Sequence, residues 1–406
     1  MLSKQTPNKI KALSRITALV AILCLQLAGM RAYASGGGEE GKFKAGEMIV
    51  HHISDAHSVH FFGHVTLPLP CIVKTEKGFD FFMSSVFMDE HHEFTKTYTS
   101  ASTGNSYVLH HEKIYTVDAS QTAEILEVEH HVVDSTVAPF DSLAAAQATP
   151  VEAHAEKHEE FHGHAVSDFS ITKSVFGMLL MLSLVLFLFA RVAKAYDKRK
   201  GQAPKGMQNM LEPFVLFIKD EVAIPALGKK RAQKFLPFML TSFFFIWASN
   251  MLGLIPFLGG FNITGTLSIT LVLATFVFIL TTINGNAHYW GHIVWPPGVP
   301  VAIKFILVPI EFLSIFIKPA VLMIRLTANI NAGHIIILAF TSLIFIFGEK
   351  SVVAGYGVGV FSTLFIVFMF FIELLVAFLQ AYVFTLLAAL YFGDATQEHH
   401  HEEAHH

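Results

Sequence analysis

FILVPIEFLSIFIKPAVLMIRLTANINAGHIIILAFTSLIFIF, Phe305 to Phe347, decides the fold. Only Glu311, Lys318, Arg325 and His334 interrupt this apolar run with ionisable side chains. A charge deep in a bilayer costs about 3 kcal/mol even on lenient insertion scales. Arginine cannot escape that cost by losing its proton. Arg325 is therefore a candidate functional residue that needs a partner. A second apolar run, about Val352–Phe392, follows after Gly348-Glu349-Lys350. At about 1.5 Å per residue each run would exceed roughly 55 Å as one helix, against a hydrocarbon core of about 30 Å. Each is either two helices or one strongly tilted helix. The turn between them is too short to cross anything, so they form a hairpin. No clear loop interrupts either run, which favours the tilted form.

The rest of the chain agrees with a polytopic membrane protein. The 406 residues are 53% hydrophobic with mean hydropathy +0.51, which argues against a soluble enzyme. The net charge of -4 gives no reason to expect nucleic acid. Ser174–Ala190 reads as a first span, closed by Arg191, Lys194, Lys198, Arg199 and Lys200, which places that end in the cytoplasm. Gln208–Leu227, interrupted by Pro213 and Pro225, reads as an interfacial helix on the inner side. Phe235–Phe257 is a second span and Thr266–Ile283 a third, followed by a cytoplasmic loop, Asn284–Pro300. The expected fold class is an all-α polytopic membrane protein of about five membrane helices, the last two a long tilted hairpin. The C-terminus is cytoplasmic by parity.

Residues 1–34 read as a secretory signal peptide. Lys4, Lys9, Lys11 and Arg15 precede an apolar core, Ile16–Met30, and Ala32-Tyr33-Ala34 is a small-x-small cleavage site. A short uncleaved anchor is the alternative. Residues 35–168 form an exported, His-rich domain of mixed or β character. His60–Val73, Phe79–Phe87 and Ser106–Val117 carry strand residues between turns. Asp141–Glu160 reads as a linker or solvated helix. Cys24 lies in the signal core, which leaves Cys71 alone and excludes an internal disulfide after cleavage. Residues 169–393 are the membrane domain and 394–406 a His/Glu-rich cytoplasmic tail, whose interleaved Glu402, Glu403 and Ala404 argue against a purification tag.

The polar residues of the hairpin are spaced informatively. Arg325 and Asn329 share a helical face, as do Glu373 and Gln380. His334 points roughly the opposite way from Arg325. In an antiparallel pair, facing positions keep a near-constant sum: 705 for Arg325 with Gln380 and 707 for His334 with Glu373. One register thus brings both pairs close. His334 and Glu373 make a candidate proton relay. Arg325, held by the Asn329 and Gln380 dipoles, would attract a carboxylate from another subunit and repel free protons. The alternative is an internal ion pair of Arg325 with Glu373 or Glu311. For Lys318 and Glu311, snorkelling or interface contacts weigh at least as much as a direct role.

At these residues the chain resembles subunit a of the F-type ATP synthase. Ile317-Lys318-Pro319, then Ile324-Arg325-Leu326-Thr327-Ala328-Asn329-Ile330-Asn331-Ala332-Gly333-His334, looks like that family's signature. Arg191-Val192-Ala193-Lys194, Glu212, Asn250-Met251-Leu252-Gly253-Leu254-Ile255-Pro256, Thr266, Glu373 and Leu379-Gln380-Ala381-Tyr382 extend the likeness over Val175 to Phe392. The resemblance implies a proton-conducting stator subunit, with a c-subunit ring and b-type stator subunits as partners, in a bacterial inner membrane. It implies that Arg325 meets the ring carboxylate between two offset aqueous half-channels. Asn329 and Gln380 would support it, and His334 and Glu373 would line the outer half-channel. The acid and the histidine are exchanged relative to the well-known bacterial pattern. Gly253 stands where some members have an acidic residue, so that position cannot relay protons here, and Val321 stands where some have a serine on the inner exit path, one turn before the arginine.

Two other classes fit the sequence less well. A secondary transporter usually shows internal repeats, and none is evident. An exported metal-binding or sensory protein rests on the histidines: His51, His52, His57, His60, His64, His91, His92, His110, His111, His130 and His131, and the tail's His399–His401, His405 and His406. A solvated His/Glu surface accounts for them more simply. No G-x-x-x-x-G-K-[ST] phosphate loop is present, no cofactor or metal is implied, and the chain holds no nucleotide site of its own.

Overall fold

The computed structural model describes residues 46, 49, 53–60, 65–89, 94, 96–110, 112–117, 164–198, 202–255 and 260–397. The expected signal peptide, the Asp141–Glu160 linker, the tail from 398 onward and most paired histidines lie outside those residues. The described chain divides into two units, one within 56–173 and one comprising 46, 49, 53–55 and the described residues from 174 onward.

The first unit is built of short antiparallel strands. β1 (Ser58–His60) pairs with β2 (Thr66–Pro68). β3 (Pro70–Thr75) lies between β4 (Gly78–Met83) and β9 (Ser167–Asp168). The third sheet runs β5 (Tyr98–Thr99), β6 (Ser106–His110), β7 (Lys113–Val117), β8 (His164–Ala165). Within Phe79–Phe87 the expected short strand is β4, and Ser84–Phe87 winds into a single 3-10 turn. The short strands expected in Ser106–Val117 are β6 and β7 of a hairpin, with Glu112 at φ 63 before β7. Alternate residues of β3 and β6 enter one core of Cys71, Val73, Phe87, Tyr107, Leu109 and Ile114. Burial pushes the Cys71 thiol up to about 12, so it behaves as a small apolar side chain.

Asp80 is a carboxylate set against that core, 1% exposed. Ser100 (2.5 Å), Ser102, Thr103 and Tyr107 (2.6 Å) all donate hydroxyl hydrogen bonds to it. Burial opposes ionisation, but the four donors more than offset it and hold the carboxyl at about 2.

The second unit is helical because its segments are long apolar runs. α1 (Lys173–Lys198) is the first span, one residue earlier and eight later than Ser174–Ala190. α2 (Met207–Phe217) and α3 (Ile224–Gly253) are joined by a π-helical turn, Ile218–Ala223. Pro225 supplies no N–H, and the wider turn before it absorbs the missing hydrogen bond. Gly228, with φ 74 and ψ 157, kinks α3 where the expected Gln208–Leu227 helix ends. α4 (Leu267–Ile283) is followed by α5 (Ala287–Val294), bent from it by 100°. The expected loop Asn284–Pro300 is therefore partly helical. Its prolines, Pro296 and Pro297, come only after α5, and Asn286 anchors the helix start through its N–H to Ala395 O at 2.9 Å.

α6 (Val301–Lys350) and α7 (Val352–Thr396) form the hairpin. Each is a single helix, about 75 and 68 Å long at about 1.5 Å per residue. This settles the choice between paired and single helices. Pro309 and Pro319 are carried inside α6. The turn is not Gly348-Glu349-Lys350, which completes α6, but the single extended residue Ser351, φ -164 and ψ 133. Small residues allow this: a Cβ on Gly355 would sit 2.7 Å from Gly348 Cα, so the backbones approach closely at the fold-back. Among the described residues four helical segments are long and apolar enough to cross a membrane, or five if the bent α4–α5 pair is one span. A mixed strand unit and an all-helical membrane unit are the architecture expected from the sequence.

The Asp80 cluster makes a measurable contribution to the strand unit. A carboxyl lowered from about 3.9 to about 2 stabilises the fold fully above about pH 4 and ceases to do so as pH falls through 2. Asp80→Asn is expected to remove about 2 kcal/mol at neutral pH, read as faster amide exchange in β6 and β7. Unchanged protection would contradict this account.

Candidate functional site in the hairpin

The hairpin register can be read from contacts along its length. Phe340 stacks on Phe365 at 4.0 Å, positions summing to 705. Glu373 abuts Gly333, summing to 706, and a Cβ on Gly333 would run into Glu373 Oε1. Lys318 reaches Asp394 at 3.8 Å, summing to 712. The drift from the turn outward is what two long helices crossing at a small angle produce.

Within this frame α6 has two unlike faces. Leu322 and Leu326 are buried. Thr327 hydrogen-bonds Thr270 of α4 at 2.6 Å, and Asn331 accepts from Asn262 at 2.6 Å while donating to Gly265 O. The opposite face is open: Val321, Ile324, Arg325, Ala328, Asn329 and Ala332 are all exposed. Their spacing of three and four is one helical stripe. Arg325 stands in it with no ion pair and no hydrogen bond to any described residue. The internal pairs with Glu373 or Glu311 do not form.

His334 and Glu373 line one small cavity together with Asn250, Leu254, Asn329 and Ala377. Glu373 is 9% exposed, and its Oε2 has no hydrogen-bond partner. A carboxyl oxygen buried without a partner is costly and marks a place for a proton or a water. The His334 ring lies over Gly253: a Cβ there would be 3.5 Å from Nε2. Asn250 fixes the cavity wall, donating to Ala377 O at 3.1 Å and accepting from Thr264. The structure thus brings His334 and Glu373 together. It sets Asn329 at the border of their cavity as well as on the Arg325 stripe. Gln380 is buried, and no hydrogen bond joins it to Arg325.

Gly333 and Thr264 were not singled out from sequence. A glycine inside a signature and a threonine in a loop carry no signal of their own until the carboxylate beside one and the amide beside the other are seen. Asn250 had a signal, an amide at the end of the apolar run Phe243–Ile246, but its role needs the α3–α7 contact. Among the described residues no group of three or more His, Cys, Asp or Glu is placed to hold a metal. His57 instead pairs with Asp168 at 2.8 Å, and His60 with Thr66 at 2.9 Å.

A multi-pass helical membrane protein with one unpaired arginine on an open stripe, beside a buried acid and histidine, is the class this geometry defines. The family model of the ATP synthase A chain matches residues 175–393, and a second, described as a domain of unknown function, matches residues 48–141. ATP synthase subunit a of Chloroherpeton thalassium is 36% identical over 289 residues, 70% of this chain and 80% of the relative. That of Pelodictyon phaeoclathratiforme is 38% identical over 282 residues, covering 68% and 77%. ATP synthase subunit a 2 of Chlorobaculum tepidum is 40% identical over 285 residues, covering 68% and 74%. The chain belongs to the ATP synthase A chain family.

The close fit of Glu373 to Gly333 is testable. Gly333→Ala should displace the carboxyl and slow proton pumping by the assembled complex about ten-fold or more. Gly359→Ala, whose Cβ would make an ordinary 3.7 Å contact, should leave the rate within about two-fold. Equal rates for the two variants would show that Glu373 needs no such clearance.

Proposed function

We propose that Arg325 is the gate of a proton path whose outer half runs past His334 and Glu373. Family membership makes the chain the proton-translocating stator channel subunit of an F-type ATP synthase, a part of that complex. The proposal concerns the residues, the partners and the orientation.

The observation that carries it is the unpaired guanidinium on an exposed stripe of an apolar hairpin. In hydrocarbon such a charge is stable only against an anion, and among the described residues none lies beside it. A carboxylate on each subunit of a c-ring, sliding past the stripe, is the partner that fits. Arg325 holds the passing carboxylate ionised and repels a proton that would otherwise leak along the interface. Asn329 and Gln380 support the guanidinium with their dipoles. On the outer side, protons reach the ring through His334 and Glu373, two groups able to hold and pass a proton within one cavity. The ring carboxylate is neutralised there, enters the lipid, and releases its proton on the inner side after most of a turn.

The remaining assignments follow the charge pattern. The N-terminal unit lies outside after cleavage of residues 1–34, the membrane is a bacterial inner membrane, and the C-terminus is cytoplasmic. Helices of about 75 and 68 Å fit a core of about 30 Å only when strongly tilted, which spreads one face across the side of a ring. The b-type stator subunits hold the chain against rotation.

The test is ATP-driven proton pumping in inverted vesicles that contain the assembled complex, wild type against Arg325→Ala. Loss of pumping with assembly intact is expected. Pumping at the wild-type rate would make Arg325 a structural residue and end the proposed mechanism.

A further inference from the structure

In the strand unit, β4, β3 and β9 pair so that their sheet can be followed row by row. Residues directly opposite in an antiparallel pair point to the same side. Val73 is flanked by Asp80 and Asp168, and this row faces the core. Asp80 is buried under its hydroxyl donors, and Asp168 pairs with His57 at 2.8 Å. The neighbouring row points the other way: Phe81, Ile72 and Phe169, the last held by its N–H to Ile72 O at 2.8 Å. Met83, Pro70 and Ile171 continue that side, with the Ile171 N–H donating to Pro70 O at 3.1 Å.

This inverts the usual arrangement, in which a sheet covered on one side turns its polar residues to water. Here both carboxylates are on the covered side and the aromatic rings on the open one, where Phe81 is 71% and Phe169 61% exposed. Phe79 and Met83 are exposed with them. Of the ionisable side chains of these strands only Lys74 stands on the open face. It pairs with Phe79 at the far end, its Nζ 5.7 Å from the centre of that ring. A contiguous apolar face of this kind marks an interaction surface.

The course of the chain says what covers it. The ladder ends at Ile171, and the first span, α1, begins at Lys173. The Lys173 N–H donates to Ala56 O at 2.7 Å, so the first residue of the span is tied to the strand unit itself. At about 3.4 Å per residue, Ile171 is within about 7 Å of that residue and Phe169 within about 14 Å. A headgroup layer is about 6 Å deep on each side of the hydrocarbon. Followed back from the span, the face runs from purely apolar rows to the Lys74 ammonium. That grading suits a bilayer surface, which takes rings at the acyl boundary and amines among anionic phosphates.

We propose that this face of the strand unit seats on the lipid surface at the N-terminal end of α1, with Phe81, Phe169 and Met83 in the interface and Lys74 against an anionic headgroup. The seat is a second membrane contact beside the span and does not depend on the proton path.

The experiment puts a nitroxide on single cysteines of the assembled complex in vesicles of phosphatidylethanolamine and phosphatidylglycerol. In a Cys71→Ser background these are Phe81→Cys, Phe169→Cys and, as the water-facing reference, Thr99→Cys at an exposed position of β5. Collision with oxygen, which concentrates in lipid, is compared with collision with a water-soluble nickel chelate. The expected ratio of oxygen to nickel collisions is several-fold higher at the Phe81 and Phe169 positions than at Thr99. Equal ratios at all three overturn the proposal. So does a label at Phe81 shielded from both reagents, which would mean a protein cover, from another subunit or a second copy. If Phe81→Cys fails to assemble, Phe169→Cys at the sheet edge decides by the same comparison. Lys74→Glu, labelled at Phe169, should lower the ratio, and an unchanged ratio would remove the headgroup contact.

Discussion

An ionised guanidinium on an apolar helix face, with no anion beside it, is the constraint on which the rest of this structure depends. Its charge cannot be titrated away at any pH the protein meets. The fold therefore keeps one face of α6 open and small where Arg325 stands, Ala328 and Ala332 flanking it, while the opposite face is closed by Leu322, Leu326 and the Thr327–Thr270 bond. Asn329 shares that stripe, and the other ionisable groups of the hairpin lie off it. His334 and Glu373 turn to a cavity against α3, and Lys318 and Asp394 to a cleft against α4 and α5. In the proposed mechanism the arginine is what separates these two polar regions.

The hairpin can do this because its helices are long and closely packed. Ser351 alone breaks the helical run, and glycine at 348 and 355 lets the backbones meet there. Aromatic stacking of Phe340 on Phe365 fixes the register in between. At Gly333 the same closeness makes room for the Glu373 carboxyl. A shift of register would move Glu373 off its glycine and Asp394 away from Lys318 together. The charged pair and the buried acid are thus set by the same packing.

Much of this was legible in the sequence, for a physical reason. Rare polar residues on an apolar background carry strong information, so spacing alone placed Arg325 with Asn329 and paired His334 with Glu373 across the hairpin. The likeness around Arg325 pointed to the family that the comparisons then showed. What was not legible depends on absent side chains or long-range pairing. The clearance at Gly333 is invisible without the acid that occupies it. The place of the turn follows from the contact of Gly348 with Gly355, not from the charges of Glu349 and Lys350. α5 was read as loop because Trp295, Pro296 and Pro297 dominate the segment that follows it. In the strand unit, β8 and β9 are two residues each and pair with β7 and β3 across more than forty residues of chain. Strands so short have no alternation to read. The charge pair of Lys318 and Asp394 was missed because Asp394 falls in what read as the polar tail.

The separation of the two polar regions by Arg325 is the central claim, and it can be measured directly. In a Cys71→Ser background, Val376→Cys places a thiol in the His334–Glu373 cavity and Ile315→Cys one in the Lys318–Asp394 cleft. Silver ions, which do not cross the bilayer, are then added to one side of sealed vesicles holding the assembled complex, and the loss of pumping is followed. The account requires that Val376→Cys be blocked only from the outer side and Ile315→Cys only from the inner side. Block of both thiols from the same side would mean one continuous channel, and Arg325 would not be the barrier described.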